Sequence, residues 1–103
     1  MTKLTMTENR NGDKLTIIAE GRIDTSNATD FENGIKASID NVTDLVINME
    51  NVNYISSSGL RALLSFHKIL TGKGGNLTIY KPTDMVMEVF DVTGFSGVLN
   101  IVR

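Results

Sequence analysis

Apolar and polar positions alternate with a period of two in the short runs Leu4–Glu8 and Lys14–Glu20, which reads as two β-strands. Between them stands "NRNGD", where Asn-Gly is a strong signal for a tight hairpin turn. Gly21 is expected to break the second strand, and "IDTSNATDF" follows, with Thr25, Ser26 and Asn27 competing to cap a helix. The period then lengthens. Ala28, Phe31, Ile35 and Ile39 fall at helical spacing, predicting a helix from about Asn27 to Asp40. "DLVINME" (Asp44–Glu50) reads as a third strand, and a second helix runs from the serines at 56–58 to about Leu70. Leu60, Leu63, Leu64, His67 and Leu70 mark its inner face. "TGKGG" stops that helix, "NLTIY" (Asn76–Tyr80) is a fourth strand, and Thr83 caps a third helix carrying Met85, Val86, Val89 and Phe90. Met85, Met87 and Phe90 sit at core or near-core spacing, and core packing is expected of them ahead of the alternative, a Met-rich partner groove. Gly94 ends the helix, and Val98–Val102 is the last strand.

Strands that alternate with helices need parallel crossovers, and those are right-handed in nearly all cases. The expected architecture is therefore α/β: a small mixed β-sheet with an N-terminal hairpin and βαβ crossovers, helices packed on the sheet, in a single domain over residues 1–103. Such a topology brings the segments after the second strand (Gly21–Asn27) and the third (Asn51–Ser58) to the carboxyl edge of the sheet. Open α/β sheets carry their sites at that edge.

Composition narrows the chemistry. The chain has 103 residues, no cysteine, a single histidine and a net charge of −2. Disulfides, thiolate metal sites and cysteine nucleophiles are excluded, and His67 alone does not make a metal cluster, so no metal or cofactor is expected. No basic cluster is available to neutralise phosphates, which argues against nucleic acid. No apolar run approaches the roughly 20 residues that span a bilayer. The start "MTKLTMTENR" has no apolar signal-peptide core. A cytoplasmic location is the default.

The candidate chemistry lies in "YISSSGLRALL", residues 54–64. One serine is explained as a helix N-cap, its oxygen satisfying an orphan N–H group. A nucleophilic serine needs a base within reach, and His67 lies about 13 Å further along the same helix. The G-x-S-x-G elbow is absent, as is the glycine- and lysine-rich pattern of a phosphate-binding loop. Phosphorylation is the remaining possibility. A phosphate adds about −1.5 to −2 charges, and a helix N-terminus tolerates them well, so a binding surface changes while its scaffold stays folded. On physical grounds this ranks above catalysis and below a simple cap. No catalytic residue is assigned.

"YISSSGLRALL", preceded by "DLVINMENV", resembles the signature of the anti-sigma factor antagonists, whose fold is the STAS domain. "GRIDTSNATDFENGI" is similar to the family's Gly-x-Ile/Leu-Asp segment and following helix. "MEVFDVTGFSGVLNI" is similar to its C-terminal pattern, a helix ending in Thr-Gly-Phe/Leu and then a closing strand. These blocks occur in the family's order across nearly the whole chain.

The resemblance implies a partner-switching protein without enzymatic activity. Its unphosphorylated form binds an anti-sigma factor that is also a serine kinase, and this frees the sigma factor. The kinase phosphorylates the antagonist with its own ATP and the pair separates; a serine phosphatase restores the binding form. Anchoring the motif on Gly59 places Ser57 at the phosphorylated position. Asp24, Thr25, Ser56, Ser57, Ser58, Gly59 and Arg61 are then the partner-binding residues. Ser56 stands where many members carry aspartate, which bears on kinase preference. An exposed helix arginine and an acid near a helix start are also common without function, so Arg61 and Asp24 have that plainer reading too. The alternative function is a STAS adaptor of a transporter ATPase or larger signalling assembly, with no dedicated sigma factor.

Overall fold

Leucine and isoleucine rows run straight across the sheet. In the computed structural model, which describes residues 4–103, Leu15, Leu45 and Leu77 are register partners, and so are Ile17, Ile47, Ile79 and Ile101. Residues 1–3 of the expected domain lie outside the described residues. The strands are β1 (Thr5–Asn11), β2 (Lys14–Ile23), β3 (Asp44–Ile55), β4 (Asn76–Tyr80) and β5 (Asn100–Val102). The helices are α1 (Ala28–Lys36), α2 (Ser57–Gly72) and α3 (Asp84–Thr93), with a 3₁₀ turn at Phe95–Gly97 that the sequence pattern did not suggest. The sheet order is β1-β2-β3-β4-β5, antiparallel between β1 and β2 and parallel elsewhere. This is the mixed sheet and hairpin expected from the alternation of periods.

From β2 onward each strand adds beside the one before it. Right-handed crossovers that always step the same way put the helices on one face. Burial follows: Leu15, Ile17, Ala19, Leu45, Ile47, Met49, Leu77 and Ile79 are sealed beneath the helices. The intervening Thr16, Val46, Asn48, Thr78 and Tyr80 line the open face. Alternation inside a parallel sheet lets one face stay uncovered, although parallel strands usually have both faces buried. Phe31 of α1 meets Phe66 of α2 edge-on, with ring centroids 5.7 Å apart, and this contact joins the two helices over the core.

Besides β1, which runs on to Asn11 and not to Glu8, four boundaries differ from the sequence reading, each for a local reason. Gly21 does not end β2; it lies inside the strand at φ 110°, where the pairing with β3 shifts register. That backbone region suits glycine, so a residue that looked like a breaker stays in the strand, beside a bulge in β3. β3 runs on to Ile55, because the turn-forming Asn48, Asn51 and Asn53 are absorbed into bulges and not into a loop. At the first bulge the Asn48 side chain accepts from the Glu50 amide at 3.0 Å. α1 ends at Lys36 and not near Asp40. Beyond it Arg10 reaches from β1 to the carbonyls of Ser38 and Asp40, holding this segment as a turn while Ile39 stays buried. The final strand starts at Asn100, two residues after Val98, behind the 3₁₀ turn.

Two helix faces also differ. In α2 the fully buried aromatic is Phe66, while Leu64 and His67 are half-buried. In α3 Val86, Met87 and Phe90 are inside, and Met85 is 58% exposed. Both helices carry more than one apolar stripe, and spacing alone does not choose between them. Among the described residues no helix is long and apolar enough to cross a membrane.

Candidate functional site

β3 outruns β4. Its pairing with β4 stops at Asn48–Tyr80, while its pairing with β2 continues to Ile55–Ile23. The freed edge of β3 is met by α3, whose capping Thr83 donates its hydroxyl to the Val52 carbonyl at 3.0 Å. The carboxyl ends of β2 and β3 therefore project together, flanked by the starts of α1 and α2 and by one side of α3.

The serine run sits at this projection. Ser56 is 7% exposed and has an extended backbone, φ −85° and ψ 171°. Its oxygen accepts from the Gly59 amide at 3.2 Å, and its carbonyl accepts from the Leu60 amide, so Ser56 is the N-cap of α2. Its own amide donates to the Ile23 carbonyl at 2.8 Å. Ser57 is the first helical residue and is exposed. Ser58 is half-buried in the first turn, and its hydroxyl makes no hydrogen bond among the described residues. The three hydroxyls thus divide: the first caps, the second faces outward, the third is partly covered.

Gly59 is fixed by packing. A Cβ there would stand 2.7 Å from Ile23 Cγ2 and 2.8 Å from Ile55 Cγ1, closer than side-chain carbons approach one another. The glycine lets α2 start directly against the ends of β2 and β3.

The β2–α1 turn is organised by Asp24. Its Oδ1 accepts from the Ser26 hydroxyl at 2.6 Å and from the Ser26 amide at 3.0 Å. The Asn27 side chain accepts from the Asp24 amide and donates to the Arg22 carbonyl. Asn27 precedes α1 without capping it through its side chain. The Ser26 hydroxyl above all, with the Ser26 and Asn27 amides and the Arg22 guanidinium, holds the Asp24 carboxyl below its usual value, against an opposing desolvation. Asp24 is therefore a turn-forming acid at the sheet edge, not an acid in the first turn of α1, where Asp30 stands. Thr25 is exposed at the tip of this turn, and Arg61 is exposed on α2. The turn at 24–27 and the start of α2 are brought together as expected.

Two participants were missed. Arg22 places its Cζ 4.3 Å from the centre of the Tyr54 ring, and its Nε stands 3.8 Å from Asp24 Oδ2. Tyr54 also lines a depression of about 380 Å³ with Met85, Glu88, Val89, Val92 and Thr93. Met85 and Val92 are 58% and 82% exposed there. Arg22 and Tyr54 precede Ile23 and Ile55, so the alternation of each strand puts them on the face opposite the core. Only the register between β2 and β3 makes them neighbours.

Among the described residues no group of three or more His, Cys, Asp or Glu side chains is placed to hold a metal ion. His67 lies ten residues beyond Ser57 on α2, nearly three helical turns away, so it does not reach the Ser57 hydroxyl as a base. What the edge offers is a surface: an outward hydroxyl, a carboxylate turn, two arginines and an apolar depression.

Residues 5–103 match the family model described as the STAS domain. A proposed anti-sigma factor antagonist of Bordetella bronchiseptica, BtrV, is 30% identical over 83 residues, which cover 80% of this chain and 72% of that one. The anti-sigma-B factor antagonist of Bacillus subtilis is 24% identical over 92 residues, covering 89% and 84%. Among solved structures, an anti-sigma factor antagonist from Mycobacterium paratuberculosis superposes with a TM-score of 0.88 at 22% identity, covering 98% of this chain and 86% of that one. The antagonist SpoIIAA in its unphosphorylated form gives 0.83 at 20% identity, covering 96% and 89%. The phosphorylated form of Bacillus SpoIIAA gives 0.75 at 19% identity, covering 96% and 92%. At these identities the structures establish a shared fold.

Proposed function

The chain belongs to the STAS domain family, and from that premise we propose that it is an anti-sigma factor antagonist, switched by phosphorylation of Ser57. The observation that carries this reading is the division of labour within the serine run. Ser56 supplies the cap of α2, so the neighbouring Ser57 hydroxyl, exposed at the first helical position, is spared for chemistry. Sequence relatives named as antagonists support the same assignment.

In the binding form, the Asp24–Asn27 turn with its exposed Thr25, together with Ser57, Ser58 and Arg61, presents one surface to an anti-sigma factor that is also a serine kinase, while the buried Ser56 and Gly59 fix the start of α2 beneath it. Binding there releases the sigma factor. The kinase then transfers the γ-phosphoryl of its own ATP to Ser57 Oγ; the hydroxyl proton leaves and ADP remains on the kinase. A serine phosphatase hydrolyses the ester with water, returning the serine and inorganic phosphate. The chain contributes no catalytic group, cofactor or metal to either step.

Phosphorylation takes a net charge of −2 to about −4. The new charge stands at the positive end of α2, where amides of the first turn lack intrahelical acceptors, so the fold accepts it. A partner surface shaped for a neutral hydroxyl at this point does not. Titration calorimetry against the kinase tests the reading: Ser57→Ala retains affinity and Ser57→Asp loses most of it while remaining folded. Equal affinity of the two variants contradicts the switch.

A further inference from the structure

Arg61 follows Ser57 by four residues on α2, and both are exposed. Residues four apart on a helix share a face, about 6 Å from each other. Helical side chains lean toward the N-terminus, so a long side chain covers the turn before its own Cα. The Arg61 guanidinium therefore ranges over Ser57. Among the described residues it makes no ion pair and no side-chain hydrogen bond, and the first turn of α2 holds no acid to engage it. The other cation of this edge, Arg22, is already held between the Tyr54 ring and Asp24.

We propose that Arg61 is the intramolecular ligand of the phosphate on Ser57. The inference rests on the reading of Ser57 as acceptor and adds the regulation of that site. A phosphate at residue 57 offers three oxygens to a planar fork of N–H donors one turn away, a match that favours bidentate pairing. One modification then changes two charges on the partner surface. A dianion appears, and the free cation that the unmodified surface presents is withdrawn. An acidic patch on the partner loses its counterpart at the moment a repelling charge arrives.

Other charged groups at this edge are Arg22 on β2, Asp24 in the β2–α1 turn, Asp30 in the first turn of α1 and Glu88 on α3. They are the same in every variant of the test. Phosphoserine is placed at position 57 of the full chain by stop-codon suppression, so no kinase is needed. Its second ionisation is then followed by phosphorus NMR with Arg61, with Arg61→Gln and with Arg61→Lys. A neighbouring cation favours the dianion and lowers the midpoint, which lies near 6 for a free phosphoserine. Arg61→Gln is expected to raise it by about 0.3 pH units or more, and Arg61→Lys to recover part of that difference. Midpoints that agree across the three proteins overturn the pairing. They leave the choice of Ser57 as acceptor standing, because that choice is tested with the kinase and not by this titration.

Discussion

The amide of Ser56 donates to the carbonyl of Ile23 at 2.8 Å, and this bond ties the start of α2 to the end of β2. It extends the β2–β3 pairing one step past Ile23–Ile55. The two segments that carry the candidate surface, the Asp24 turn and the serine run, are therefore rigidly related through backbone. Side chains at this edge can be exchanged while the frame that positions them persists.

Ser56 and Ser57 are adjacent and differ only in what their hydroxyls do. Ser56→Ala removes the acceptor for the Gly59 amide and is expected to cost about 1 kcal/mol, within the usual range for losing a serine cap. Ser57→Ala removes an exposed hydroxyl that caps nothing, and its effect stays within about 0.5 kcal/mol. Urea denaturation of the two variants checks this. A larger loss from Ser57→Ala reverses the assignment of the cap.

Gly59→Ala sets two effects against each other. Alanine favours a helix over glycine by up to about 1 kcal/mol. Its Cβ, however, meets Ile23 and Ile55 under 3.0 Å, and overpacking of this kind costs about 1–3 kcal/mol. The clash involves buried, branched side chains on two strands, so it prevails. Net destabilisation in chemical denaturation is the expected result; a stabilised variant shows that α2 shifts outward without cost.

Asp24 makes the β2–α1 turn sensitive to acid. Its carboxyl is held below the usual value by the Ser26 hydroxyl first and by nearby amides and Arg22. A carboxyl depressed in the folded state stabilises the turn above its unfolded value, and the contribution fades as pH falls through the lower folded value. The turn is thus intact at neutral pH and loosens only below about pH 4. Carbon NMR of the Asp24 carboxyl should show Ser26→Ala raising its midpoint toward the ordinary carboxylate value. An unmoved midpoint removes Ser26 as the main cause.

Legibility differed between fold and site. The hairpin, the alternation of strands and helices and the parallel crossovers follow from "NRNGD" and from the switches between strand and helix period along the chain. The full length of β3 was hidden by Asn48, Asn51 and Asn53, since residues that form turns also form bulges. Met85 looked internal because α3 carries two apolar stripes, and the packing of Val86, Met87 and Phe90 selects one of them. At the site, Asp24 and the run from Ser56 to Arg61 were readable as local signals. The stacking of Arg22 on Tyr54 was not, because it depends on the register between two strands separated by a helix.

The central claim is that Ser57 accepts the phosphate, and one measurement addresses it most directly. The chain is incubated with ATP and an anti-sigma factor serine kinase that binds it, and the modified residue is located by fragmentation mass spectrometry. A single phosphate on Ser57 is the predicted result, with none on a Ser57→Ala chain. Modification at Ser56 or Ser58, or a wild-type chain left unmodified by an active kinase, contradicts the account.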